Sequence, residues 1–366
     1  MLTKKQLLSR RIRQVDLSEV KKVSDLVEAM AETSYQSRNL ARCLSVYEAM
    51  LGDEQRVTIF LGIAGAMVPA GMRKIIVDLL KRGMVDVVVS TGANLYHDLA
   101  EASGVHHFIG SPHLDDSRLR ELSIDRIYDT LADEEGFRRV DEKIVELTNR
   151  MEPVECSSRR YLFELGRNFD DEDSIMATSA RLNVPVYCPS IADSSIGIAL
   201  SRHQLERGSK RGVVINTIRD NLEMAQIMAR SPRTGAFFIG GGVPKNFVQQ
   251  TGVNVRFLGL KQDAGHAYAI QITTDDPKWG GLSGATIEEA ISWGKYPPKV
   301  SQAVAYVDAT IGLPILAASV FEKCAGLVAK RGRLGFDWKD SILIDMRQIP
   351  VEGPRRGLAP EEDVRP

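Results

Sequence analysis

Short runs of branched apolar residues recur along this chain, each ending in a small-residue turn that leads into a helical pattern. That alternation restricts the fold to a mostly parallel sheet with helices on both faces, because parallel neighbours need a crossover between them. Val57 to Ile63 runs into a Gly/Ala/Pro turn, Met72 to Arg82 has the spacing of an amphipathic helix, and Val85 to Asn94 is a second strand ending in small residues. Downstream, Val184 to Tyr187 precedes a polar loop through Ser195, Gly212 to Ile215 is a further strand, and Gly235 to Ile239 runs into Gly240-Gly241-Gly242. Two helices precede the first strand, since apolar residues from Asp25 to Leu51 keep helical spacing. Leu114 to Arg150 is charged and reads as a helical crossover or insertion.

With 366 residues, 43% of them hydrophobic, the chain can bury a large core. A formal net charge of -1 argues against nucleic acid or an anionic membrane as main partner, since both call for a clustered basic excess. Cys43, Cys156, Cys188 and Cys324 are far apart and form no CxxC pair, so they read as reduced core residues, and no metal site is expected. Met1 to Arg13 is basic, lacks the apolar region of a signal peptide, and no run reaches about 18 apolar residues. The expectation is a soluble, cytoplasmic protein.

Gly280 to Lys295 is the stretch with the most chemistry in it. Thr286 to Trp293 reads as a short helix with Ser283 and Thr286 as candidate N-caps, Glu288 and Glu289 in the first turn, and Gly294 at the stop. Lys295 then has two readings. It complements the helix dipole from solvent, or it is a nucleophile whose amine is kept from water by the indole of Trp293, desolvation being what frees a lysine lone pair. Past the turn Tyr296 to Lys299, Ala303 to Thr310 is a strand pattern ending in Asp308, and Ile311 to Phe321 a buried helix.

Strand ends near Ala64, Thr91, Asp193, Gly240 and Asp308 all finish in small or polar residues, which in an open α/β sheet line one crevice. The triple glycine suits phosphate, because backbone N–H groups and a helix N-terminus face the anion, although the same sequence also makes a plain turn. Asp193 and Asp308 either accept ribose hydroxyls or cap the next helix. His97 and His266 are each a general base or a satisfied structural histidine.

From about Asp25 to Phe321 the chain resembles the deoxyhypusine synthase family. The strongest match is Glu289-Ala290-Ile291-Ser292-Trp293-Gly294-Lys295, followed by Val307-Asp308-Ala309 and Leu313-Pro314-Ile315-Leu316. Met84 to Val89 with Thr91, Val184 to Tyr187 with Pro189 and Asp193, and Gly240 to Gly242 with Lys245 support it. The resemblance implies a Rossmann-like fold over residues 1–325 with a C-terminal extension over 326–366. It also implies a homotetramer built of dimers and an NAD site lined by Thr91, Asp193, Ser195, Gly241, Gly242, Thr274, Asp308 and Ala309. Family chemistry oxidises a polyamine with NAD, passes an aminobutyl group to a lysine as a Schiff base, and hands it to an acceptor amine. By position Lys295 is the carrier, Trp293 the wall of the polyamine tunnel and Glu289 an ammonium anchor.

Departures from the family pattern bear on substrate. Asn246 stands where the family has a histidine, Ile198 and Leu282 where it has polyamine-binding acids, and His97 replaces an acid. Fewer carboxylates hold a polycation less well. The reading favoured is therefore an aminoalkyl transferase acting on a small amine, of the homospermidine synthase kind, with His97 or His266 as replacement base. The alternatives are a true deoxyhypusine synthase modifying a translation-factor lysine, and an NAD-binding regulatory protein without catalysis. In the extension, Ser341 to Ile344 is a candidate strand with a pairing or subunit-contact role, and the Pro- and charge-rich end from Pro350 to Pro366 reads as flexible.

Overall fold

A computed structural model describes residues 3–208 and 210–351; most of the Pro350–Pro366 end lies outside the described residues. In chain order the strands are β1 (Thr58–Ile63), β2 (Val87–Ser90), β3 (His107–Ile109), β4 (Ile124–Ile127), β5 (Thr130–Asp133), β6 (Val154–Cys156) and β7 (Val186–Tyr187). There follow β8 (Val213–Ile215), β9 (Thr234–Ile239), β10 (Tyr268–Thr273), β11 (Ser301–Tyr306), β12 (Arg333–Lys339) and β13 (Ile342–Ile349).

Six of these make one sheet in the order β11-β10-β9-β1-β2-β7, and every pairing in it is parallel. The mostly parallel, Rossmann-like α/β fold expected from the alternation is thus present. From β1 the chain builds outward through β2 to β7, then returns to lay β9 against the other side of β1 and continues to β10 and β11. The order therefore reverses between β1 and β9, and in open α/β sheets ligands bind at the carboxyl ends beside such a reversal. Ala64 and Gly240 meet there: a Cβ on Gly240 would sit 3.3 Å from the Ala64 carbonyl oxygen.

Alternation along the strands divides the core. Ile59, Leu61, Phe237 and Ile239 face the larger cluster with the N-terminal helices Val23–Met30 and Tyr35–Gly52, while Phe60, Val87, Val89 and Phe238 face the other side. That second face is closed by Met224 and Ile227, by Phe247 and Val248, and by Leu334, Phe336 and Leu343 of the antiparallel hairpin β12–β13. The extension expected to hold one candidate strand is thus a two-stranded cover of the sheet, with its turn at Asp340 in left-handed backbone (φ 54°). Buried ion pairs fasten it: Arg331 to Asp86, and Arg159 to Glu223 with the Arg159 guanidinium 4.1 Å from the Trp338 ring centre.

Two expectations need correction. The segment from Leu114 to Arg150 is not simply helical, because β4 and β5 lie in it and pair with β3 as a small antiparallel sheet before the helix Glu134–Asn149. Strand β8 does not join the main sheet; it pairs in parallel with β6. Among the described residues no single helix is long and apolar enough to cross a membrane.

Candidate functional site

Helix Ile287–Ser292 is capped at its start by the Thr286 hydroxyl, which accepts from the Glu289 N–H at 2.9 Å. Ser283, the other candidate cap, works elsewhere: its Oγ accepts from the Gly242 N–H at 2.9 Å, tying this loop to the glycine turn after β9. At the other end Gly294 is left-handed (φ 68°), its N–H reaches the Ile291 carbonyl, and the Lys295 N–H reaches the Ala290 carbonyl. Those two bonds make a Schellman closure, which favours glycine at the left-handed position because it has no Cβ to clash. Lys295 follows at once, so its backbone is fixed by the helix end.

The Lys295 side chain is half-buried, and its Nζ donates to Asn246 Oδ1 at 2.8 Å. Asn246 begins the second turn of helix Gly242–Phe257, and its Nδ2 donates in turn to Gln250 Oε1 at 3.2 Å, which fixes which end of the amide faces the amine. Burial lowers the Lys295 pKa, with the Glu289 charge opposing. Trp293 lies beside the amine, ring centre 5.6 Å from Nζ. It is 68% exposed, however, so the indole screens one side only rather than walling the lysine from water. Lys295, Trp293 and Glu289 are therefore brought together, and Asn246 joins them.

Lys245, one residue before Asn246, is 1% exposed, and its Nζ donates to Gln271 Oε1 (2.9 Å) and to the carbonyls of Ser283 (3.2 Å) and Ala285 (2.5 Å). Gln271 also donates to the carbonyls of Gly240 and Ser283. The β9 turn, β10 and the loop before Lys295 are thus one hydrogen-bonded unit. Sequence reasoning noticed Lys245 only as part of a motif and missed Gln271, whose signal was a polar residue inside an apolar strand.

The residues assigned to a dinucleotide lie along the carboxyl edge of the sheet. Thr91 stands between β2 and helix Gly92–Glu101, Asp193 and Ser195 follow β7, Gly241 and Gly242 follow β9, Thr274 follows β10, and Asp308 and Ala309 follow β11. Gly241 packs so closely that a Cβ there would lie 2.4 Å from Ser283 Cα. Asp308 takes the capping reading: its carboxylate accepts from the Thr310 N–H and hydroxyl at 2.8 and 2.6 Å, and these bonds lower its pKa. Asp193 is exposed, and no described residue bonds its carboxylate.

The histidines separate from this group. His97 Nδ1 lies 3.0 Å from His107 Nε2, and His107 Nδ1 lies 2.6 Å from Glu101 Oε1, in a cluster packed on Phe137. Burial, then the neighbouring His107, brings the His97 pKa down to about 4, while for Glu101 burial pushes the other way and the hydrogen bonds from His107 and His106 outweigh it, holding it at about 2. No described contact links His97 to Lys295. His266 is fully buried, with its Nε2 on the Val248 carbonyl and its ring 5.5 Å from Phe60 and 5.9 Å from Tyr296. It is a structural histidine, enclosed where no substrate reaches, and the base role considered for it is withdrawn.

The deoxyhypusine synthase family model matches residues 25–320, and the chain belongs to that family. It is 44% identical over 330 residues to a protein of Methanosarcina acetivorans described as "Probable deoxyhypusine synthase 2", covering 89% of this chain and 94% of that one. Identity is 49% over 290 residues with the protein of the same description in Archaeoglobus fulgidus, covering 79% and 94%. With the "Deoxyhypusine synthase-like protein" of Chlorobaculum tepidum it is 40% over 306 residues, covering 82% and 87%. Among solved structures, the "putative deoxyhypusine synthase" of Entamoeba histolytica superposes with a TM-score of 0.59 at 18% identity, covering 85% of this chain and 97% of that one, a likeness of fold. Family membership supports an enzyme of the transferase class.

Proposed function

We propose that this protein is an NAD-dependent aminoalkyl transferase that carries an aminobutyl group on Lys295 and delivers it to a small amine. The observation that carries the reading is the half-buried Lys295 amine, held by Asn246 with Trp293 and Glu289 beside it and its proton affinity lowered by burial. Lowering that affinity favours the neutral amine, whose free lone pair is what Schiff-base formation needs.

Residues on the carboxyl edge suit a dinucleotide. In this reading the exposed Asp193 carboxylate, to which no described residue bonds, accepts ribose hydroxyls, and the glycine turn at Gly241 and Gly242 brings backbone close to the strand-order reversal. Thr91, Ser195, Thr274, Asp308 and Ala309 complete the set in this reading. NAD supplies, when bound, the hydride acceptor that turns a secondary amine into an imine. Lys295 then adds to the imine carbon, the bond to the departing amine breaks, that amine leaves with a proton, and the aminobutyl group stays on Nζ as a Schiff base. A second amine displaces Lys295 by the same exchange, and the hydride taken in the first step would return to the new imine to give the product amine, so that no net oxidation remains. In this reading Glu289 holds a distal ammonium, and the Trp293 face covers the chain. His97, neutral at neutral pH, is in the protonation state of a base.

A small-amine acceptor is favoured because Leu282 (48% exposed) and Ile198 (64% exposed) put apolar surface where the family has acids. The same reading includes a homotetramer acting in the cytoplasm. Labelled spermidine with NAD, offered putrescine and a translation-factor lysine in parallel, tests it: label in a polyamine product is expected, and label only in the protein acceptor would replace the small-amine reading by a true deoxyhypusine synthase.

A further inference from the structure

Arginines drawn into this protein meet carboxylates: Arg331 faces Asp86, Arg159 faces Glu223 and Arg73 faces Asp98. Arg256, in the last turn of helix Gly242–Phe257, is half-buried too, yet among the described residues no carboxylate oxygen lies within the 4.0 Å of an ion pair. Its guanidinium goes to two loop carbonyls instead: Nη1 donates to Ala264 and Nη2 to Gly294. Charge-assisted bonds are stronger than neutral ones, and a planar fork adds direction to strength, so the two loops are held at a set distance and angle.

Both loops bear on Lys295. The Gly294 carbonyl and the Lys295 N–H are the two ends of one peptide unit; Arg256 holds the first, and the Ala290 carbonyl accepts from the second at 3.1 Å. A peptide unit is planar, so pinning both ends fixes the direction in which the chain enters Lys295. Glycine at 294 serves this contact as well as the turn, because a Cβ there would lie 2.8 Å from Arg256 Nη2. Ala264 flanks the same segment: a Cβ on its neighbour Gly265 would be 3.6 Å from the Lys295 carbonyl oxygen. The helix that carries Arg256 also presents Asn246 to the Lys295 amine at 2.8 Å and Gln249, whose Nε2 donates to the Tyr296 hydroxyl at 3.0 Å. Gly294, Lys295 and Tyr296 are thus gripped in succession by one helix, the one that starts at the glycine turn after β9.

We propose that Arg256 is a positioning residue: by holding the Gly294 carbonyl it aims Lys295, so that the amine meets a bound substrate at the angle of attack. This rests on Lys295 being the nucleophile. Arg256 touches no reacting atom; it acts through the backbone of the residue that does. In Arg256→Met the helix end keeps its own bonds, from the Gly294 N–H to Ile291 and from the Lys295 N–H to Ala290, so the fold survives while the Lys295 peptide gains freedom to rock. Misplacing a reacting group by about 1 Å slows a reaction up to roughly a hundredfold.

The test mixes the full chain with NAD and a range of spermidine concentrations, quenches with borohydride at successive times, and reads the Lys295 adduct by peptide mass spectrometry. Arg256→Met should lower the maximal rate of capture by about tenfold to a hundredfold and leave the half-saturating concentration within about twofold of wild type, the pattern of an interaction that counts only during reaction. A general loosening of the site would move both. A variant that unfolds cooperatively and keeps the wild-type maximal rate overturns the proposal, as does a half-saturating concentration raised beyond about twofold. Should Arg256→Met fail to fold, Arg256→Lys, which keeps a charged donor for one carbonyl, is read in the same way. If wild type itself leaves no adduct, the transferase reading falls, and hydrogen exchange at the Lys295 N–H decides this one: exchange at least about tenfold faster in Arg256→Met is expected, and an unchanged rate overturns it.

Discussion

Replacing Arg331 by Met should cost this fold about 3–5 kcal/mol, and the contacts say why. Asp86, at the entry to β2, is fully buried and accepts from Arg56 at 2.7 and 2.8 Å, from the Ile59 N–H at 2.9 Å, and from Arg331. Arg331 also donates to the carbonyls of Gly83 and Val57, joining the C-terminal hairpin to both central strands. In Arg331→Met the Val57 carbonyl keeps Arg56, but Gly83 loses this donor and Asp86 is left with one guanidinium. Removing one partner of a buried pair costs about 3–5 kcal/mol, and domains hold only about 5–15 in reserve. Urea unfolding followed by tryptophan fluorescence measures it, with an unchanged m-value showing that the native burial is kept. The pH dependence is a second signature. The two arginines hold the Asp86 pKa below its ordinary value, so its contribution is present above the unfolded pKa near 4 and disappears as pH falls through the folded value. In the variant that loss should begin at higher pH. A cost under about 1 kcal/mol with the wild-type acid limb would refute the view that Arg331 carries the clasp.

Three more outcomes follow from the site. Gly241→Ala drives a methyl to within 2.4 Å of Ser283 Cα, so it should displace the loop that Lys245 anchors and lower adduct formation at Lys295 by at least tenfold, read by mass spectrometry. Leu282→Asp adds a carboxylate at the rim and should lower the KM for spermidine about tenfold, the value of one charge-assisted contact, in an NADH-formation assay. His97, with its folded pKa near 4 against about 6.5 unfolded, binds fewer protons in the native state, so stability should rise with pH between these values, and His97→Gln should remove that part of the slope in urea titrations from pH 4 to 7.

Much of this was legible where local chemistry and tertiary context agree. The helix before Lys295 has its cap at Thr286 and its stop at Gly294 because hydroxyl caps and left-handed glycines are local requirements. Strands β1, β2 and β9 read as apolar runs because both their faces are covered. What escaped the sequence was set by distant partners. Strand β10 carries Gln271 mid-run, and that polar residue makes sense only once Lys245 and the Gly240 turn are seen around it. Strands β3 to β5 are three or four residues long and half exposed, too short for a period to show. In β12, Leu334, Gly335 and Phe336 are all buried, so no alternation marks the strand, and Arg331 in the preceding basic run is buried opposite Asp86. Trp293 was placed correctly in sequence but faces water, which spacing along a helix cannot reveal.

The most direct test of Lys295 as covalent carrier is to incubate the protein with NAD and spermidine, putrescine or agmatine, quench with borohydride, and map the added mass. An aminoalkyl adduct on Lys295, absent in Lys295→Ala, is the result expected, and its mass names the donor. NAD binding without an adduct from any donor would contradict the account and leave an NAD-binding protein without this chemistry.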